Sequence, residues 1–305
     1  FMVEPAEFYM NPQTLESNHY QIEDKDTSKE TILNEAIKEF KNFHEALTSN
    51  GVNVTALKGI KGCPDHIFPN WFITFEDKSM QIFSMRAENR RKEKTPEMIE
   101  FLKQEYELTD DLSHYEEKDL FLESTSSMVF DRVNRVVYAT SSARTNPELT
   151  KKWCEENKYE LVLFETQSHT GDPIYHTDVL MYVGTEVIGI CFEVIKEEHR
   201  EKVKEMVSKY HEVVEITKEQ IMDFCGNSLE VINNDGDLML IMSKRAYDAY
   251  NKEQIAALNK FYKKFIYADL SIIENLVVDL LDVCCLSYSE SANSNLSLPC
   301  LPTST

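Results

Sequence analysis

The sequence lacks any apolar run approaching the roughly 20 residues that a membrane-spanning helix requires, and its start shows no secretory-leader pattern. Phe1, where an initiator Met would stand, is read as a trimmed or tagged start. The seven cysteines form no Cys-x-x-Cys pair and no His/Cys group at zinc spacing, so neither a redox dithiol nor a zinc module is expected. An odd cysteine count without a leader reads as free thiols in a reducing compartment, and the expected location is cytoplasmic. Positive charge is also scarce, with 32 Lys and Arg against 53 Asp and Glu and a net charge of -21. A nucleic-acid partner needs a basic face, so that class is excluded. A cationic ligand is compatible with such a charge, although a solvated acidic surface is its commoner meaning.

What is present is the composition of a soluble globular protein, long enough for a large core in one or two domains. Residues 1–26 are polar and turn-rich, with Asn11-Pro12 as a turn. A helix is expected from Thr27, with Glu30 closing a capping box and Ile32, Leu33, Ala36, Ile37, Phe40, Phe43 and Leu47 forming its apolar stripe. Beyond it a unit recurs: an apolar hairpin, an amphipathic helix and a strand. Its hairpin turns fall at 76–79, 132–134, 184–186 and 233–236, a spacing of roughly 50–57 residues. Each unit must lean on its neighbours to cover its apolar hairpin. Two α+β architectures fit: a ring closed by the repeats, or an ordinary α+β domain with coincidental spacings.

Several polar residues fall at the ends of these hairpins. His176 and Asp178 follow the turn Gly171-Asp172-Pro173 at the head of an apolar segment. Read as strand residues i and i+2, they share a face. Asp65 and Asn70 lie in the loop before the first hairpin. Glu123 follows an apolar run and precedes four hydroxyl residues, Ser124 to Ser127. Each has a bland reading as a cap, turn or solvated charge. They converge on one place only if the ring closes.

The stretches Pro64-Asp65-His66-Ile67-Phe68-Pro69-Asn70-Trp71, Asn89-Arg90-Arg91, Phe121-Leu122-Glu123 through Asp131-Arg132, Tyr175-His176-Thr177-Asp178-Val179 and Gly226-Asn227-Ser228-Leu229-Glu230 resemble the amidinotransferase-like, or pentein, superfamily. The nearest resemblance is to its arginine deiminase-related, citrulline-utilisation branch, near the dimethylarginine dimethylaminohydrolases. It covers most of the chain. It implies a five-bladed β/α propeller formed by residues 1–276 as a single catalytic domain, acting on a guanidino or ureido compound without metal or organic cofactor. It further implies that Asp65 and Asp178 grip the planar cation, that His176 is the general acid/base and that Glu123 orients and charges it. Arg90 and Arg144 are candidates for holding an α-carboxylate. Asp178 stands where the branch usually has Asn, which is more like the deiminases and leaves the substrate open.

One departure falls where the family carries its nucleophile. The family ends on a strand reading Gly-Gly-Gly-Ser-Ala-Arg-Cys-Met, whereas this chain reads Val277-Val278-Asp279-Leu280-Leu281-Asp282-Val283-Cys284-Cys285. The two are related through the genetic code. Val277 to Cys284 can be written GTG GTG GAT CTG CTA GAT GTA TGT; with one G in front this becomes GGT GGT GGA TCT GCT AGA TGT ATG. Loss of one base after the Leu276 codon would make 277–305 an out-of-frame tail, in keeping with its Ser-, Asn- and Thr-rich end. Neither Cys284 nor Cys285 then replaces the intended thiol, because a one-residue slip turns a strand side chain to the opposite face. Cys225 is read as a small buried apolar residue. The expected function is a thiol-dependent hydrolase or amidinotransferase, impaired as written. The alternatives are a non-catalytic pentein that binds a cationic ligand and an acidic ring that engages a basic protein. Genomic DNA is expected to read GGT GGT GGA one base back from the Val277 codon, and any other codon series there removes the frame explanation.

Overall fold

The computed structural model describes residues 1–15, 18 and 27–276. Strand β1 (Met2–Glu4) leads to helix α1 (Lys29–Thr48) and to β2 (Ala56–Lys58), which lies parallel to β1. Ser28 caps α1 by accepting from Thr31 N at 3.2 Å, so the expected Thr27–Glu30 box is replaced by a cap one residue later. The apolar stripe buries Ile32, Ala36, Phe40, Phe43 and Leu47, and the chain turns away at Gly51 with φ +77°.

Four units follow, each with one topology. In the first, β3 (Phe72–Thr74) and β4 (Ser79–Ile82) form an antiparallel hairpin. The short α2 (Glu88–Arg91) and α3 (Pro96–Leu102) then bring β5 (Glu107–Asp111) back parallel to β4. The second has α4 (Ser124–Ser127), β6 (Met128–Asp131), β7 (Val136–Thr140), α5 (Pro147–Glu156) and β8 (Glu160–Phe164). The third has β9 (Met181–Val183), β10 (Val187–Ile190), α6 (Glu197–Tyr210) and β11 (Glu212–Glu215), followed by α7 (Lys218–Met222). The fourth has β12 (Leu229–Ile232), β13 (Leu238–Ser243), α8 (Lys244–Ala249), α9 (Lys252–Leu258) and β14 (Lys264–Ala268), and α10 (Ser271–Leu276) comes last. Antiparallel pairing needs only a tight turn, whereas the parallel return needs a crossover, here always helical. Pro96 and Pro147 each open a helix behind a capping side chain, Thr95 and Asn146.

Neighbouring units touch through their first elements: β6 packs on β9, β9 on β12, and the short helix α4 before β6 packs on β3. The mixed α+β class is as expected, but three local readings change. His176 and Asp178 do not lie on a strand; Thr177–Val179 form a 3₁₀ turn that delays β9 to Met181. β5 escaped the sequence reading because Glu-Leu-Thr-Asp-Asp offers almost no apolar alternation. The helical stretch from Lys244 is broken at Tyr250 into two helices.

The first and last elements of the described residues share a core. Met2, Ile32, Phe40 and Phe43 pack with Ile266, Leu270, Ile273 and Leu276. Glu39 on α1 reaches across to α10, accepting from Ile272 N at 3.0 Å and Ile273 N at 3.0 Å, and so caps a helix 233 residues away. Glu39→Ala is expected to lower stability to urea by about 1–2 kcal/mol, the scale of a lost helix cap. A change near zero would show that water replaces the cap.

Candidate active site

Glu123 is delivered by an abrupt change of chain direction. The next residue, Ser124, has φ +43°, a left-handed conformation that costs a non-glycine residue energy. Its Oγ donates to Phe72 O at 2.7 Å and holds the turn against the first unit. Ser127 Oγ accepts from Glu123 N at 2.9 Å and from Thr145 Oγ1 at 2.8 Å, and donates to Arg144 O at 3.0 Å. Thr177 Oγ1 donates to Ser127 O at 2.6 Å. The run of hydroxyls is thus a set of buried ties that fix three segments around one carboxylate.

Both oxygens of that carboxylate are engaged. Glu123 Oε1 accepts from Arg86 N at 3.0 Å, and Oε2 from His176 Nε2 at 2.8 Å, with Arg144 Nη1 at 3.7 Å. Glu123 and His176 are 1 % and 0 % exposed. Burial alone would raise the Glu123 carboxyl, but Arg144, the His176 hydrogen bond and Arg90 outweigh it and hold it at about 2. Arg144 lies over the Tyr175 ring with its guanidinium carbon 4.7 Å from the centroid, and its Nη2 donates to Thr14 O at 3.2 Å.

Thr14 links this group to Asp65. Its Oγ1 donates to Asp65 Oδ2 at 3.3 Å, beside Asn11 Nδ2 at 2.8 Å. Asp65 Oδ1 has no hydrogen-bond partner among the described residues. Burial pushes the Asp65 carboxyl up, against the pull of Arg90, Asn11, Arg144 and Thr14. Asp178 is buried in the 3₁₀ turn beside His176, and its carbonyl accepts from Asn227 Nδ2 at 3.3 Å. That contact needs Gly226, where a Cβ would sit 2.3 Å from Val179 O.

Arg90 is differently placed. Its Nε and Nη2 reach Glu93 Oε1 and Oε2 at 3.0 and 3.3 Å, and Nη2 also donates to Phe68 O and Asn70 Oδ1. Burial alone would lower the Arg90 guanidinium, but Glu93, Asp65 and Glu123 raise it above its ordinary value. Burial pushes Glu93 up to about 8, against the pull of Arg90. A two-pronged bond to a permanently charged guanidinium makes the pair ionic, and the two opposite tendencies are reconciled in favour of charge.

Structure therefore brings Asp65, Glu123, His176 and Arg144 into one connected network, places Asp178 in the turn next to it, and commits Arg90 to internal partners. The residues that sequence reasoning missed are Asn11, Thr14 and Glu93. Asn11-Pro12 carries only a turn signal, and nothing local announces that the turn is buried.

The four described cysteines are buried. Burial first, then nearby carboxylates, raises Cys63 to about 11; burial raises Cys154 to about 12, Cys191 to about 11, and Cys225 further still. Cys225 packs in the core as expected for an apolar residue. Cys284, Cys285 and the whole tail 277–305, with the frame question, lie outside the described residues. Among the described residues no three His, Cys, Asp or Glu side chains gather to hold a metal ion, and no helix is long and apolar enough to cross a membrane.

Residues 4–277 match the family described as N,N dimethylarginine dimethylhydrolase, eukaryotic. The chain belongs to that family. The dimethylhydrolase family is one of pentein arginine-modifying enzymes that cleave C–N bonds. The N-terminal domain of ArgZ, a cyanobacterial arginine dihydrolase, was solved bound to substrate. It has a TM-score of 0.72 at 15% identity, over 92% of this chain and 95% of that one. An AgrE variant in complex with L-arginine gives 0.73 at 14% identity, over 97% of this chain and 40% of AgrE, which is thus much longer. A dimethylarginine dimethylaminohydrolase adduct with 4-chloro-2-hydroxymethylpyridine gives 0.57 at 18% identity, over 82% of this chain and 90% of that one. Among curated proteins none matches the chain. These likenesses place the dimethylhydrolase family member in the pentein fold.

Because the folded Glu123 carboxyl lies below its ordinary value of 4.5, it contributes stability above that value and loses it as pH falls towards about 2. Glu123→Gln is expected to cost about 3 kcal/mol at neutral pH, since it leaves a buried guanidinium and imidazole without their anion. Urea titrations across this acid window should show a steep loss for the wild type and a flatter profile for the variant. Parallel profiles would exclude an ionised Glu123.

Proposed function

We propose that this chain is built as a hydrolase of arginine-like guanidino or ureido compounds, working through a cysteine thiolate, and that the polypeptide as written is impaired because that thiol is missing. One observation carries the reading: a buried Glu123–His176 bond of 2.8 Å joined through Arg144 and Thr14 to an Asp65 whose Oδ1 has no partner among the described residues. Among the described residues, Asp65, Glu93, Glu123 and Asp178 are buried with two buried guanidinium groups, Arg90 and Arg144, so a further cation is favoured there.

In this reading Asp65 and Asp178 accept N–H bonds from the planar cation and orient it. The thiolate attacks the guanidino carbon, a C–S bond forms, and the C–N bond to the leaving amine breaks as His176 gives that amine its proton. His176 then takes a proton from water, whose oxygen bonds to the same carbon. The C–S bond breaks, releasing the ureido product and the thiolate. Glu123 keeps the imidazole oriented and stabilises its charged form. Arg144 is the better placed of the two arginines for an α-carboxylate, while Arg90 acts as a brace for Asn70. If a transferred amine replaces water, the same steps give amidino transfer.

The proposed frame is a five-bladed ring. Four units have three strands each, and β1–β2 is a parallel pair joined by α1, like the second and third strands of the others. Among the described residues β1 has no antiparallel neighbour. A second reading, a non-catalytic pentein that binds a cation, is favoured by the four protonated, buried thiols of the described residues.

The test compares the chain as written with one whose end is restored to Gly-Gly-Gly-Ser-Ala-Arg-Cys-Met after Leu276. Both are incubated with L-arginine, citrulline and N,N-dimethylarginine, and ammonia, dimethylamine, citrulline and ornithine are measured. The restored chain should release amine from one of these while the written chain does not. No gain on any of them, with arginine still bound in calorimetry, would favour the second reading.

A further inference from the structure

Asn11 is fully buried, and every hydrogen-bonding position of its amide is occupied. Its Nδ2 donates to Asp65 Oδ2 at 2.8 Å and to Asn89 Oδ1 at 3.2 Å. Its Oδ1 accepts from Asn89 Nδ2 at 2.8 Å and from Gln13 N at 3.0 Å. The two asparagines exchange hydrogen bonds head to tail. As a carboxylate Asp65 can only accept, and Gln13 N can only donate, so turning the Asn11 amide over would break both outer bonds. Asn89 is itself held in place, with its N donating to Gln13 Oε1 at 2.9 Å and its carbonyl accepting from Cys63 Sγ at 3.1 Å.

The result is an asymmetric carboxylate. Asp65 Oδ2 has two donors, Asn11 and Thr14, whereas Oδ1 has none among the described residues in a side chain that is 1 % exposed. A buried polar atom left bare is costly unless something else binds it. We infer that Asn11 is a positioning residue: clamped by Asn89, it anchors Asp65 Oδ2 so that Oδ1 alone faces a donor-rich cation of the guanidinium class. This rests on the function proposed above. The geometry also supports the charge of Asp65, because a hydrogen bond donated to a carboxylate favours its ionised form. Other charged or titratable groups that act on Asp65 are Arg90 and Arg144, which favour the ionised form, and Glu93 and Tyr9, which oppose it.

The experiment is an NMR titration of the Asp65 carboxyl carbon in the full chain, with calorimetry of L-arginine binding on the same samples, for the wild type, Asn11→Ala and Asn89→Ala. Asn11→Ala should move the Asp65 midpoint to higher pH and weaken L-arginine about tenfold, the effect of one hydrogen bond to a charged group. Asn89→Ala keeps the Asn11 donor but unclamps it, and should shift the midpoint the same way by less. It carries the comparison alone if Asn11→Ala does not fold. A role confined to packing would weaken binding without moving the midpoint, and an unmoved midpoint overturns the inference. Failure of the wild type to bind L-arginine would instead overturn the guanidino reading, and the Asp65 midpoint would still decide the role of Asn11.

Discussion

An ionised carboxylate buried away from bulk solvent must be surrounded by donors, and Glu123 meets that demand from three separate parts of the chain. Arg86 N comes from the first unit, Arg144 from the second and His176 from the approach to the third. None of these is a sequence neighbour. Each must be held to within a few tenths of an ångström, because a buried ion that loses a partner costs several kcal/mol. The hydroxyls of Ser124, Ser127 and Thr177 and the left-handed backbone at Ser124 are the local means of that precision. Strain in one residue is offset by bonds that could not otherwise form.

The two buried arginines show how one side chain serves opposite ends. Arg90 turns its fork onto Glu93, Phe68 O and Asn70, and so becomes part of the wall. Arg144 lies flat on Tyr175 and touches Glu123 only at 3.7 Å. The first neutralises a neighbouring acid in full. The second shares its charge among Glu123, the Thr14 carbonyl and an aromatic face. A guanidinium is suited to both because its charge is spread over a plane with five donors.

Much of this fold could be read in advance, and the reason is periodicity. The hairpins of the second, third and fourth units are dense in apolar residues, and Pro96 and Pro147 mark helix starts. The acidic strand β5 could not be read, since Leu108 is its one apolar residue and the other four side chains are exposed. The site was legible where residues cluster in sequence, as at His176 and Asp178, although a 3₁₀ turn rather than strand alternation brings them there. Asn11 was not legible. Its meaning comes from Asp65 and Asn89, 54 and 78 residues away, and a buried asparagine looks in sequence like any turn asparagine.

The core that α1 shares with β14 and α10 bears on how the molecule is made. Helix α1 precedes all four repeat units, yet beside Phe8, Ile67 and Phe68 its apolar stripe shares its core with Ile266, Leu270, Ile273 and Leu276. Until those late residues emerge, that stripe has only part of its native cover. Translation therefore imposes a long wait with a sticky surface showing, a situation that invites chaperones and aggregation alike.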